Sequence, residues 1–351
     1  MFACLSMELS SLGKEKKKAF ITGITGQDGS YLAEFLLGKD YEVHGLVRRV
    51  ALEDPSHRLK RINHIKDKLV SHTGNIESYS RLIDIFDEVR PDECYHLASQ
   101  SFVYESFEDS FSTFLTNVEG TLNVINALKK RSPKCRFYFA GSSEMFGRVR
   151  ETPQSEDTPF YPRSPYGITK VTGFDLTRNF RDSYDLFACN GILFNHESPR
   201  RGHEFVTRKI SNSAAKIKLG LQEDIELGNL NAKRDWGHAK DFVEAMWLML
   251  QQEKPEDYVI ATGETHTVRE FVEEAFKVAD IYPIKWSGEG INEIGIYNGK
   301  TIIKVNKNFF RPAEVNILIG NPQKAKDKLG WEPKTKFKEL VRMMVESDLK
   351  N

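Results

Sequence analysis

Tyr166 and Lys170 stand four residues apart in the stretch Tyr161–Lys170, YPRSPYGITK. Residues at that spacing project from the same face of a helix. A phenol at its ordinary pKa, near ~10, is a poor base at neutral pH, whereas an ammonium held beside it favours the phenolate. Tyr166 is therefore the candidate acid/base, and Lys170 its tuner. Upstream, the apolar run FYFA leads into Gly141-Ser142-Ser143-Glu144-Met145-Phe146-Gly147, a turn at the carboxyl end of a strand, where doubly wound folds place ligands. Ser142, Tyr166 and Lys170 suit hydride transfer, with Ser142 holding a reacting hydroxyl and Tyr166 removing its proton. Glu144 adds a second base. A carboxylate there could take the acidified proton next to a newly formed ketone and so expel a hydroxyl one carbon further on, which is a dehydration. Without its neighbours, Glu144 would read as a helix-start charge or a capping partner.

The elements that must position these groups begin with the short apolar strand Lys18–Thr22, which runs straight into GITGQDGSYLAEFLL. Gly23, Gly26 and Gly29 permit a tight turn and close approach of backbone to a pyrophosphate, and the following helix offers free N–H groups. The G-x-x-G-x-x-G spacing resembles that of the extended short-chain dehydrogenase/reductases. The strand Tyr41–Val47 ends in Arg48 and Arg49, where guanidinium groups suit the 2′-phosphate of NADP better than the ribose hydroxyl of NAD. Strand Lys68–His72, helix Tyr79–Val89, strand Glu93–Leu97, helix Phe111–Lys130 and strand Arg136–Ala140 continue an α/β alternation that predicts a doubly wound parallel sheet. From Leu193 onward the order is less regular, as expected of a smaller α/β substrate-binding lobe. Phe271–Val278 and Pro322–Leu329 read as helices of that lobe and its closure.

Composition narrows the partners. The chain has 351 residues, 40% apolar, with 50 basic residues against 50 acidic ones. That balance carries neither a nucleic-acid footprint nor a membrane-surface charge, and no apolar run approaches the ~20 residues of a bilayer span. Residues 1–17 read as a disordered leader with Met7 as a candidate internal start. Cys4, Cys94, Cys135 and Cys189 have neither metal-ligand nor disulfide spacing, which fits a reducing cytoplasm. His196, His203 and His238 make no metal constellation, and Trp236, Trp247, Trp286 and Trp331 are expected to be packing residues.

The blocks GSSEMFG, PFYPRSPYGITK, GILFNHESPRRG, FVTRKI, RDWGHAKDFVEAMWLML and RPAEV resemble the GDP-mannose 4,6-dehydratases over nearly the whole span from Lys18 to Leu340. The resemblance implies that Ser142, Glu144, Tyr166 and Lys170 are catalytic, with Glu144 both base at C5 and acid toward the C6 hydroxyl. It implies an extended dehydrogenase/reductase fold with a mainly NADP-binding Rossmann domain over 18–192 and a mainly substrate lobe over 193–345, some segments of which return to the Rossmann domain. NADP would contact Gly23, Thr25, Gly26, Gln27, Asp28, Gly29, Arg48, Asn75, Ile76, Leu97, Ala98, Ser99, Tyr166 and Lys170. Asn75 replaces the family's usual adenine-contacting Asp and can accept from the adenine amino group. The GDP-sugar would contact Ser101, Glu144, Asn195, Val206, Lys209, Arg234, Arg311 and Glu314. Arg234 and Arg311 are read as phosphate forks, against surface pairing of Arg234 with Asp235 and of Arg311 with Glu314. The segment VALEDPSHRLKRINHI departs from the family's shorter loop, which leaves GDP-manno-heptose as an alternative to GDP-mannose. A homodimer or homotetramer is implied. The competing readings are a 4-reductase or epimerase that needs no Glu144, and a non-catalytic NADP sensor.

Overall fold

A computed structural model describes residues 15–310 and 313–350. Most of the leader, and Arg311, lie outside the described residues. The central sheet comprises Lys18–Thr22 (β1), Glu42–Val47 (β2), Leu69–Thr73 (β3), Glu93–His96 (β4), Arg136–Ala140 (β5) and Ala188–Leu193 (β6), with Asn195–Glu197 (β7) following outside it. Tyr258–Ile260 (β8) completes seven strands in the order β8-β6-β5-β4-β1-β2-β3, all parallel. The inner strands are buried along their length, as a parallel sheet covered on both faces requires. Strand order reverses between β1 and β4, which opens a crevice at their carboxyl ends.

Each face carries its own apolar layer. Gln27–Gly38 (α1) lays Leu32 and Leu36 against Phe242 and Met246 of the helix Ala239–Leu250. On the other face, Leu82 and Phe86 of Tyr79–Val89 (α2) meet Val124 and Leu128 of Gly120–Arg131 (α3) and Phe174 of Pro165–Tyr184 (α4). α4 starts where Ser164 accepts a hydrogen bond from the Gly167 N–H at 3.0 Å, with Pro165 in the first turn; both are strong helix-start signals. Gly173 lets this helix lie close to β5, because a Cβ there would stand 2.3 Å from the Phe139 ring. The pair Tyr166/Lys170 is thereby pressed against the sheet.

A third apolar cluster builds the lobe: Ile210 and Ala214 of Val206–Lys218 (α5), Phe271 and Val272, and Leu340 and Met344 of Phe337–Leu349 (α6). A small sheet, ordered Lys285–Ser287, Ile294–Tyr297, Lys300–Val305, Ile225–Leu227, backs it. The helix expected over Phe111–Lys130 runs from Ser110 to Arg131, with a π-turn at Leu115–Glu119 between Ser110–Phe114 and α3. The other expected elements stand within a few residues of their predicted bounds.

Candidate active site

Two adjoining cavities open at the carboxyl ends of the sheet. One, of about 550 Å³, is lined by the glycine turn, Arg48, Asn75, Ile76, Leu97, Ala98 and Ser99, and runs down to Tyr166 and Lys170. Thr25, Gly26, Gln27, Asp28, Gly23 and Gly29 form its near wall. The other, of about 590 Å³, is lined by Glu144, Val206, Lys209, Arg234 and Glu314. Ser101, Ser142, Tyr166 and Asn195 border both. Apart from Arg49, every described residue singled out for cofactor or substrate contact lines one of these two cavities.

At the junction, Tyr166, Glu144 and Lys170 are all buried. The Ser142 hydroxyl accepts from the Glu144 N–H at 3.2 Å, so the capping role and the placement of Glu144 beside the phenol coexist. Lys170 Nζ donates to the Ala140 carbonyl at 2.9 Å and sits 5.7 Å from the Tyr166 ring centre. Burial pushes the phenol up to about 12, partly offset by Ser142, and the ammonium down to about 8. The expected drop of Tyr166 toward neutrality is therefore absent in the chain by itself: desolvation penalises both charged forms, and Lys170 is engaged with a carbonyl.

The cofactor cavity has the features an NADP requires. No side chain caps the N-terminus of α1, so its first N–H groups face the turn as an anion site. Arg48 lines the cavity where β2 ends, whereas Arg49 turns outward and pairs with Glu53 at 3.3 Å. Of the two arginines only Arg48 lines the cavity, which Arg61 and Arg201 also border. Beneath the turn, Asp28 and His196 pair at 2.7 Å. Burial would raise the Asp28 carboxyl, but the His196 charge and hydrogen bond hold it below its usual range.

The substrate cavity corrects one pairing. Arg234 does not pair with Asp235; it donates to Glu314 at 3.3 Å and to the Lys233 carbonyl at 3.0 Å. Asp235 instead accepts from the Thr262, Gly263 and Gly320 N–H groups, and burial lifts its carboxyl to about 6. Lys209 lies 3.5 Å over the Phe309 ring.

Several residues at the site were not singled out from the sequence. Asn117, in the π-turn, accepts from the Gln100 N–H at 2.8 Å and donates to Thr169 at 3.0 Å, tying α4 to the turn after β4. Arg61, from the divergent segment, reaches the carbonyls of Arg200 and Thr25. Arg201 borders both cavities; His196, read as a hydrogen-bonded structural residue, is one, yet it also lines the cofactor cavity. Membership of the block NHESPRRG was the available signal for Arg201 and His196. None marked Asn117.

Comparison with solved structures shows a shared fold. A structure of RMD from Pseudomonas aeruginosa complexed with NADPH superposes with a TM-score of 0.76 at 22% identity, covering 96% of this chain and 100% of that one, a likeness of fold. The family model described as GDP-mannose 4,6 dehydratase matches residues 20–344. The Drosophila melanogaster GDP-mannose 4,6 dehydratase is 52% identical over 345 residues, covering 95% of this chain and 86% of that protein. Its Homo sapiens counterpart is 52% identical over 346 residues, covering 96% and 93%. The chain belongs to the GDP-mannose 4,6-dehydratase family.

Proposed function

We propose that the protein is an NADP-dependent hydro-lyase that converts GDP-mannose to GDP-4-keto-6-deoxymannose. The observation that carries this reading is the meeting of Ser142, Glu144 and Tyr166 at the junction of the two cavities. Bound NADP would supply the acceptor for the C4 hydride and return that hydride to C6. Ser142 holds the O4 hydroxyl while Tyr166 accepts its proton. The resulting ketone acidifies C5–H, which Glu144 removes and passes to the C6 hydroxyl, so that water departs. Saturation of C6 by the returning hydride is balanced by one proton at C5, matching the one Tyr166 took. Oxidation and reduction cancel.

Arg234 and Glu314 would hold the nucleotide, with Asn195 at the diphosphate and Val206 and Lys209 at the base; Arg311 is proposed beside them. A mainly NADP-binding domain over 18–192 and a mainly substrate-binding lobe over 193–345 are proposed, with Ala239–Leu250 and Tyr258–Ile260 returning to the central sheet and its apolar layer. Phe111, 89% exposed, Leu115, Leu122 and Ile168 present an apolar helical face, which supports burial against a second copy. Among the described residues no helix is long and apolar enough to cross a membrane, and Cys94, Cys135 and Cys189 are free and buried; a cytoplasmic setting suits both. The test is incubation of purified protein with GDP-mannose and, separately, GDP-manno-heptose, without added cofactor. Loss of one water from the mannose compound is expected. Loss from the heptose compound alone would move the substrate to a heptose, and, in a separate incubation with added NADPH, consumption of NADPH without water loss would make the protein a reductase.

A further inference from the structure

Glu197 lies at the end of β7, 2% exposed, on the wall of the substrate cavity. One of its oxygens, Oε2, accepts from the Thr207 hydroxyl at 2.6 Å and stands 3.0 Å from Arg201 Nε. Thr207 belongs to the first turn of α5, which carries Val206 and Lys209. Arg201 borders both cavities, and its guanidinium also lies 3.6 Å from the centre of the Phe205 ring, on the residue that precedes α5. A single buried carboxylate thus ties together the strand β7, the start of the nucleotide-facing helix and a cation at the junction.

We propose that Glu197 is a positioning residue that fixes Arg201 at the junction of the cofactor and substrate cavities and, through Thr207, sets the first turn of α5. The inference rests on the proposed dehydratase reading for its role in turnover, but not for its geometry. A carboxylate paired this way is costly to break, since the surviving guanidinium is left part-buried without its partner. Arg201 in place favours the Tyr166 phenolate, so the pair connects substrate-lobe geometry to the proton acceptor. The ring contact with Phe205 alone would leave the cation free to slide along the aromatic face.

The experiment is an ultraviolet difference titration of the Tyr166 phenol in the NADP complex, with Tyr166→Phe as the blank, in the wild type and in Glu197→Gln. Losing the carboxylate charge alone would move the titration midpoint down; releasing Arg201 moves it up. An upward shift of about one unit is expected, and it should vanish in an Arg201→Gln background because the two changes act through one contact. An unmoved or lowered midpoint overturns the proposal. Thr207→Val, which removes only the second anchor, is expected to raise KM several-fold without moving the midpoint; the same upward shift there would also overturn it. Should Glu197→Gln not fold, Glu197→Asp carries the same titration, because it keeps the charge and withdraws it from Arg201. Water loss by the wild type tests the dehydratase reading separately, so either can fail alone.

Discussion

Replacing Lys170 by Met removes a buried ammonium 5.7 Å from the Tyr166 ring centre without introducing a large shape change. In the chain alone Tyr166 stands at about 12, so at pH 7.5 only ~1 in 10⁴–10⁵ molecules carries the phenolate. A unit charge at that separation, with an effective dielectric near ~20, is worth ~3 kcal/mol, or ~2 pKa units. The unbranched thioether chain of Met fills most of the space, and the Ala140 carbonyl loses the Lys170 donor. Lys170→Met should therefore lower kcat at neutral pH by ~10²-fold, with the acid limb of the pH–rate profile displaced upward by ~2 units. The assay is water loss from GDP-mannose, followed by mass from pH 6 to pH 10 under saturating substrate. A variant with near-wild-type kcat at pH 7.5 and an unmoved limb would refute the assignment of Lys170 as the phenol's electrostatic partner.

Gly29→Ala places a Cβ 2.3 Å from the Gly23 carbonyl oxygen and 2.6 Å from the Ile24 Cα. Both are backbone, so the turn itself must move: a loss of ~1–3 kcal/mol and at least tenfold weaker NADP binding are expected by thermal melting and titration, and unchanged values of both would contradict the close packing. His96 is buried between the Thr22 and Thr121 hydroxyls at 2.8 and 3.0 Å and pushed down to about 3 by burial. Thr121 donates onward to the Asn117 carbonyl, so His96 Nε2 carries the proton and Nδ1 accepts from Thr22. With the folded value depressed, this histidine contributes stability above its unfolded pKa, near ~6.5, and the contribution is lost as pH falls from there toward 3, at ~1.4 kcal/mol per pH unit. His96→Leu should flatten the stability profile between pH 6.5 and pH 4.5 by that slope; parallel profiles would show that another group titrates. Phe111→Asp together with Leu115→Asp should shift sedimentation to the monomer if that face joins two copies, and an unchanged species would move the interface elsewhere.

The chemistry-bearing groups were legible because their signals are local. A Ser-Pro start before Tyr166 marks the helix, a four-residue spacing puts Lys170 on its face, and glycines after an apolar strand mark the cofactor turn. What the sequence did not disclose depends on distance or on burial. Arg234 finds Glu314 eighty residues away rather than its neighbour Asp235, because Asp235 is consumed by backbone N–H groups from two other segments. Arg49 could not be separated from Arg48 without the short helix Arg49–Glu53, which starts after Arg48 and pairs Arg49 with Glu53 along its own face. The titration of Tyr166 was read from its charged neighbour, yet desolvation is the larger effect. Asn117 required the π-turn, which inserts one residue into the helical register and has no composition of its own.

The central claim is that the hydride removed from C4 returns to C6 of the same sugar. GDP-mannose deuterated at C4, turned over by the purified protein with no added cofactor, tests it most directly. The account predicts a dehydrated product carrying one deuterium in its C6 methyl group, and a Glu144→Gln variant that forms no such product. Water loss with the deuterium absent from C6, or full turnover by Glu144→Gln, would contradict it.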